Sequence, residues 1–114
     1  MSISTEKFSQ QSMPRQLGAL AANLARISSC ARWKEPGDIV IPMMTESIQF
    51  AEWIAPHTPA EITAELVDLQ IRLSLWQKIW PQAQGYDVQR TLLSFQARKW
   101  SDQMLEYSGL LNVN

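Results

Sequence analysis

The clearest helical pattern in the chain lies at residues 58–80, TPAEITAELVDLQIRLSLWQKIW. It opens with Thr58, Pro59 and Glu61, the order expected of an N-cap, a first-turn proline and a reciprocal capping glutamate. Behind them, large apolar residues recur in alternating steps of four and three, which keeps them on one side of a helix. We call this set the inner stripe: Ile62, Leu66, Leu69, Leu73, Trp76 and Trp80.

A second apolar set follows roughly the opposite side of the same predicted helix. We call it the outer stripe: Val67, Ile71, Leu75 and Ile79. A helix that is apolar on two opposed faces cannot bury both of them against one neighbour. It must therefore lie at the centre of a bundle or offer its outer stripe to another chain. We expect the inner stripe to be interior.

Three further segments have helical periodicity. The first runs from about residue 14 to 33 and stops before the turn signal at residues 35–38, EPGD. The second begins near Pro42, after an irregular lead-in at residues 39–41, and ends near Ala55. The last follows Asp87, an acceptable N-cap, and reaches about Tyr107 before the stop signal Ser108-Gly109. The helix at residues 58–80 is expected to end at Trp80-Pro81, because proline disfavours continuation of a helix.

Four predicted helices joined by short connections are typical of an antiparallel bundle. The sequence therefore predicts an all-α protein with an up-and-down four-helix bundle, distorted by the irregular segment before the second helix. Residues 1–12 are polar and are expected to form a flexible N-terminal arm, and residues 13–111 a single helical-bundle domain.

Composition narrows the classes of function. The chain has 114 residues, a net charge of −1 and one cysteine, Cys30, so no internal disulfide can form. The near-neutral charge predicts no general attraction to nucleic acid or to anionic lipid. Residues 1–12 lack the apolar centre of a signal peptide, and no apolar run is long enough to span a membrane. A reduced, cytoplasmic location is the expectation.

No motif in the sequence identifies a chemistry. Four scattered glycines provide no phosphate-binding loop, and a single histidine, His57, cannot complete a zinc or di-iron ligand set with Cys30. Glu61, Glu65 and Asp68 follow one flank of a helix, where paired acids could hold a hard cation. Acids are also favoured in a first helical turn, and a solvated flank is the simpler interpretation. We expect no metal and no cofactor.

The leading hypothesis is a non-catalytic regulatory or adaptor protein that works through protein–protein association, as a homodimer. Its basis is an excess of apolar surface. A bundle of this length can readily bury one apolar stripe per helix, but the helix at residues 58–80 has two. A partner protein other than a second copy is an alternative occupant. The expected interface residues are the outer stripe with two tryptophans near helix ends: Val67, Ile71, Leu75, Ile79, Trp33 and Trp53.

A different class of function is a pocket that binds a small apolar ligand or cofactor. Tryptophan and methionine side chains are large, adaptable linings for such a pocket. The residues that could line it come from the second and fourth predicted helices: Met43, Met44, Phe50, Trp53, Trp100 and Met104. An enzyme is the third hypothesis, because the polar constellation that catalysis needs is not visible.

Overall fold

A computed structural model of the chain describes residues 4–33 and 39–109. Within these ranges every regular element is helical, so the predicted all-α class is confirmed. The helices are α1 (Thr5–Gln10), α2 (Met13–Ala31), α3 (Val40–Ile54), α4 (Ala60–Ala83) and α5 (Asp87–Ser108). A short 3-10 turn, Ala55–His57, connects α3 to α4. The four predicted helices correspond to α2–α5, and α1 is an additional element.

Local sequence explains where several of these helices start and stop. The hydroxyl of Ser12 accepts a hydrogen bond from the backbone N–H of Arg15 and caps α2, which has Pro14 in its first turn. Helix α5 ends at Ser108, within the predicted stop signal, and the next residue, Gly109, adopts φ +71°. That left-handed conformation favours glycine because a side chain there would strain the backbone.

Hydrogen bonds between helices define which ones run antiparallel. Helix α2 packs on both α3 and α5, and α3 packs on α4, whereas α4 meets α5 over a smaller contact. Ser28 pairs with Ser94, and the hydroxyl of Ser101 donates to the carbonyl of Ala21, so α2 and α5 run in opposite directions. The most extensively packed helix is thus α2, and α4 is not at the centre.

The core is formed by one apolar side of each helix. In α4 the buried residues are Leu66, Leu69, Leu73, Trp76 and Trp80 of the inner stripe, which confirms their predicted interior position, together with Ala83. Trp76 and Trp80 meet edge to face with ring centroids 6.4 Å apart. The Trp76 indole also donates a hydrogen bond to the side-chain carbonyl of Gln96 at 2.9 Å, which ties α4 to α5.

The N-terminal segment contains a helix that the sequence analysis did not predict. Phe8 of α1 is fully buried, and its ring stacks on Phe50 at 4.5 Å and contacts Trp53 at 5.4 Å. Gln16 donates to the backbone carbonyls of Phe8 and Gln11 and fastens the end of α1 to α2. The segment is thus docked on the bundle, and the flexibility expected for residues 1–12 stays a prediction.

Both predicted ends of α4 need correction. The hydroxyl of Thr58 donates to the carbonyl of Ala55 or shares a hydrogen bond with Thr63, and no side chain caps the helix at Pro59. The predicted pairing of Thr58 with Glu61 is therefore wrong. At the other end α4 continues through Pro81 to Ala83, because a proline in a last turn removes only one helical hydrogen bond and has a φ compatible with the helix.

The lead-in to α3 also differs from the prediction, because the helix begins at Val40 rather than near Pro42. The turn expected at residues 35–38 and the end of the predicted domain at residues 110–111 lie outside the described residues.

Candidate protein-association surface

The outer stripe is a row of large apolar side chains in contact with solvent. Val67, Ile71, Leu75 and Ile79 are 43–58% exposed, although the residues between them on the opposite face of α4 are buried. They are exposed because α4 packs on α3 and, to a smaller extent, on α5 through its inner stripe. Exposed apolar residues scattered singly are ordinary, but four in a row on one helix form a contiguous surface of the kind that marks interaction sites.

Part of the outer stripe lines an open groove between α3 and α4. Ile71 and Leu75 form its wall on α4, and the half-buried Ile48 contributes an apolar side chain from α3. Ser74 lies among them, and Gln70 and Gln77 also line it. The groove is thus apolar in its middle and is bordered by polar side chains from both helices.

Two glutamines fix the relative position of the two helices that form the groove. Gln70 Nε2 donates to the carbonyl of Ile48 at 3.1 Å, and Gln77 Nε2 donates to the hydroxyl of Thr45 at 2.7 Å. A higher residue number on α4 therefore faces a lower one on α3, and the helices run antiparallel, as predicted.

The groove carries opposite charges towards its two ends. Glu52 lies one turn beyond Ile48 on α3, next to the N-terminal half of α4, and Lys78 lies in the C-terminal half of α4. Neither side chain forms an ion pair with a residue in the described ranges. Helix α4 repeats this polarity, because its acids Glu61, Glu65 and Asp68 precede its bases Arg72 and Lys78.

The residues Ile48, Glu52 and Lys78 were missing from the predicted interface. Lys78 could have been found from the sequence, since it lies about 20° from Val67 on a helical projection of α4. Ile48 and Glu52 could not, because their position beside the outer stripe depends on how α3 packs against α4.

The two tryptophans predicted at the rim have different surroundings. Trp33, just past the end of α2, is 66% exposed and lies in a separate cleft between α2 and α5. Trp53 is half-buried in α3 against Phe8 and Phe50. Neither lines the groove between α3 and α4.

The six residues predicted for an apolar pocket are distributed over the core and two surface cavities. Met44 and Met104 are buried in the core, and Met43 packs against it. Phe50 and Trp53 line one cavity beside the start of α3, where Ile41 and Pro42 also contribute.

Trp100 lines another cavity, together with Arg72 and Gln96. Binding of a ligand at either place stays a prediction.

The polar residues considered for chemistry do not converge on a common site in the described part of the chain. His57 is exposed in the 3-10 turn, and Cys30 is half-buried near the end of α2. Asp68 accepts a hydrogen bond from Arg72 Nε at 2.8 Å, and Glu61 and Glu65 are exposed. No group of three or more histidine, cysteine, aspartate or glutamate side chains within residues 4–33 and 39–109 is arranged to hold a metal ion.

No helix in the described part of the chain combines the length and the apolarity that crossing a membrane requires. Comparisons with models of known protein families, with curated proteins and with solved structures found no significant match to this chain.

Proposed function

We propose that this protein is a non-catalytic regulatory or adaptor protein that associates with a second copy of itself through the outer stripe of α4. The observation that carries the proposal is the exposure of Val67, Ile71, Leu75 and Ile79 in one row, next to a groove that is apolar in the middle and oppositely charged at its ends. Burying such a row removes apolar surface from water, which is the main favourable term in protein association.

The energy available from the outer stripe permits at most a weak, reversible dimer. Full burial of a valine, leucine or isoleucine side chain stabilises by about 1.5–3 kcal/mol. These side chains are about half exposed, so the eight of them in a dimer contribute about 6–12 kcal/mol in total. The lost translational and rotational freedom costs about 4–15 kcal/mol. Only the largest gain set against the smallest cost leaves about 8 kcal/mol, which corresponds to a dissociation constant on the order of micromolar. We therefore expect a reversible dimer that is no tighter than micromolar.

The charges favour an antiparallel arrangement of the two α4 helices. A two-fold axis through the middle of the groove brings Glu52 of each copy towards Lys78 of the other. The same axis places the acidic N-terminal half of one α4 against the basic C-terminal half of its partner. A parallel arrangement would bring like charges together instead, at a cost to association. The isologous contact also closes at two subunits, because each copy uses its only outer stripe.

The proposal includes the arrangement of the whole chain. We infer that α2–α5 form an up-and-down four-helix bundle, with α1 packed on α3. It is supported by the antiparallel pairing of α2 with α5 and of α3 with α4. A reduced cytoplasmic location is also part of the proposal, since the sequence has one cysteine, Cys30, and therefore no pair for an internal disulfide.

Single cysteines test both association and orientation. In a Cys30→Ala background, Ser74→Cys places a thiol near the middle of the groove, and Gln82→Cys places one near the end of α4. Eight residues separate the two positions, about 12 Å along the helix. In an antiparallel dimer the two thiols introduced at position 74 are close to each other, whereas the two introduced at position 82 are roughly 24 Å apart along the helix direction.

A short bifunctional thiol reagent should therefore link only the Ser74→Cys variant. Efficient linking of Gln82→Cys would contradict the antiparallel orientation. If neither variant is linked and both have a monomer's mass, the proposed self-association is wrong.

A ligand-binding function is the second candidate, and one cavity favours it. Phe50, Trp53, Ile41 and Pro42 line an opening beside the start of α3 that is large enough for a small apolar molecule. A neutral apolar fluorescent probe such as N-phenyl-1-naphthylamine should bind there, and the variant Trp53→Ala should lose that binding while it keeps its helical circular-dichroism signal. Unchanged probe binding by a folded Trp53→Ala variant would exclude this cavity.

A further inference from the structure

A second cleft lies between the C-terminal end of α2 and the first half of α5, and it shares no lining residue with the groove beside the outer stripe. Its floor is formed by Ser28 and Ser94, and its volume is about 360 Å³, within the range of small-molecule sites. Its walls consist of Ser29, Arg32 and Trp33 on one side and Thr91, Phe95 and Arg98 on the other.

The hydroxyl groups on the floor of this cleft already form hydrogen bonds within the protein. The Ser28 hydroxyl donates to the carbonyl of Ser94 at 2.7 Å, and the Ser94 hydroxyl donates to the carbonyl of Ser28 at the same distance. Both serines are buried. This reciprocal pair holds α2 and α5 at a fixed separation, so the width of the cleft is defined by the packing of the two helices. The groups left to bind a molecule are those of the walls.

The two aromatic walls present large ring surfaces to solvent. Trp33 is 66% exposed and Phe95 is 67% exposed, and they lie on opposite sides of the same cleft. Neither ring contacts another aromatic ring within the described residues. Exposed aromatic faces of this kind can stack on the planar ring of a ligand. Stacking would bury apolar surface that is exposed in the free protein.

The two arginines of the walls are available to an anion. The ion pairs found in residues 4–33 and 39–109 are those of Arg72 with Asp68 and of Arg90 with Asp87. Arg32 and Arg98 are exposed and have no carboxylate partner among these residues. A guanidinium group binds a carboxylate or a phosphate through two parallel hydrogen bonds, and it also stacks on aromatic faces.

We propose that this cleft binds a small aromatic anion. Arg32 and Arg98 hold its phosphate or carboxylate, and Trp33 and Phe95 stack on its ring. The hydroxyls of Ser29 and Thr91 lie on the same walls and are able to donate to the anion. A long polyanion fits less well, because the chain as a whole has a net charge of −1 and the seven acids of residues 35–70 are accompanied by no lysine or arginine.

The test is a titration of the full-length protein, followed by NMR of the tryptophan indole groups and by calorimetry. Adenosine monophosphate is the phosphate probe, and indole-3-carboxylate is the carboxylate probe. Adenosine supplies the ring without the anion, and inorganic phosphate supplies the anion without the ring. We expect at least one aromatic anion to saturate the protein at millimolar concentration and to shift the Trp33 indole signal, assigned from its loss in Trp33→Phe. The probe that binds more tightly indicates the preferred combination of ring and anionic group.

Matched charge variants locate the binding. Arg98→Gln should weaken binding by about tenfold or more, the effect of losing a charged hydrogen-bond donor. Arg15→Gln makes the same change of charge at an exposed site at the other end of α2, about 25 Å from Arg32 along the helix, and should leave binding unchanged.

Three results would overturn the proposal. The first is the absence of saturation with either aromatic anion. The second is inorganic phosphate binding as tightly as adenosine monophosphate. The third is an equal loss of affinity in Arg15→Gln and Arg98→Gln.

Discussion

Two leucines on opposite faces of α4 provide a matched test of how that helix is used. Leu73 is fully buried, whereas Leu75, two residues further, is 58% exposed. Replacing a buried leucine with alanine removes its transfer free energy and leaves a cavity, at a total cost of about 2–5 kcal/mol. The entropy of unfolding is about 2.1 cal/mol/K per residue, so for a chain of 114 residues this cost lowers Tm by roughly 8–21 °C. The same change at Leu75 should cost the folded monomer under about 1 kcal/mol.

The assay is urea unfolding of both variants, followed by tryptophan fluorescence and circular dichroism at a protein concentration below the dissociation constant of the dimer. At higher concentration, Leu75→Ala should gain less stability than the unmodified protein, because it has lost part of the dimer contact. Leu73→Ala should gain as much as the unmodified protein. Equal losses of monomer stability in the two variants would refute the assignment of one face to the core and the other to the surface.

Three further predictions address the interface, the N-terminal helix and the end of α5. Either Glu52→Lys or Lys78→Glu should weaken the dimer by about tenfold, because each replaces two attractive contacts with repulsive ones. The double variant should recover the dimer affinity in sedimentation equilibrium. No recovery would exclude this pairing. Phe8→Ala should release α1 without unfolding the bundle, at a cost of up to about 3–5 kcal/mol. Amide exchange should then lose protection at residues 5–10 but keep it in α2, and a global loss of protection would contradict this. Gly109→Ala should cost about 1–2 kcal/mol in urea unfolding, because φ is +71° and alanine is strained in that conformation. The cost comes from the backbone alone, since an added Cβ meets nothing within 4 Å. An unchanged midpoint would show that this conformation is not needed.

Sequence periodicity was sufficient for the long helices and for the buried face of α4. The inner stripe extends over about five helical turns, so the prediction of a helix does not depend on any single residue. The ends of the helix were less predictable. Thr58 and Pro81 have residue types that fit a cap and a helix stop. In the structure the hydroxyl of Thr58 forms hydrogen bonds with Ala55 and Thr63 rather than capping α4, and α4 continues past Pro81.

Features that depend on tertiary contacts could not be predicted from one sequence. Helix α1 has only six residues and a single apolar anchor, Phe8, and its place is defined by the rings of Phe50 and Trp53. An isolated helix of that length is not stable in water. Six residues with one large apolar side chain are also too few to show a helical period. The cleft between α2 and α5 is similar, because Trp33 and Phe95 are more than sixty positions apart in the sequence.

The outer stripe is an intermediate case. Its helical spacing was visible in the sequence, and the structure places Ile71 and Leu75 beside a groove. What the sequence could not supply was Glu52, which comes from α3 and provides the negative end of the groove. Charge at the two ends is the feature that distinguishes an antiparallel self-contact from a general apolar patch.

The most direct test of self-association through α4 is the solution mass of the protein, by light scattering behind size exclusion, over concentrations from well below to well above micromolar. We expect a mass that rises from one copy to two, and an Ile71→Glu variant that stays at one copy with unchanged helical circular dichroism. A protein that remains a monomer at the highest concentration would contradict self-association through α4. So would an Ile71→Glu variant that dimerises as well as the unmodified chain.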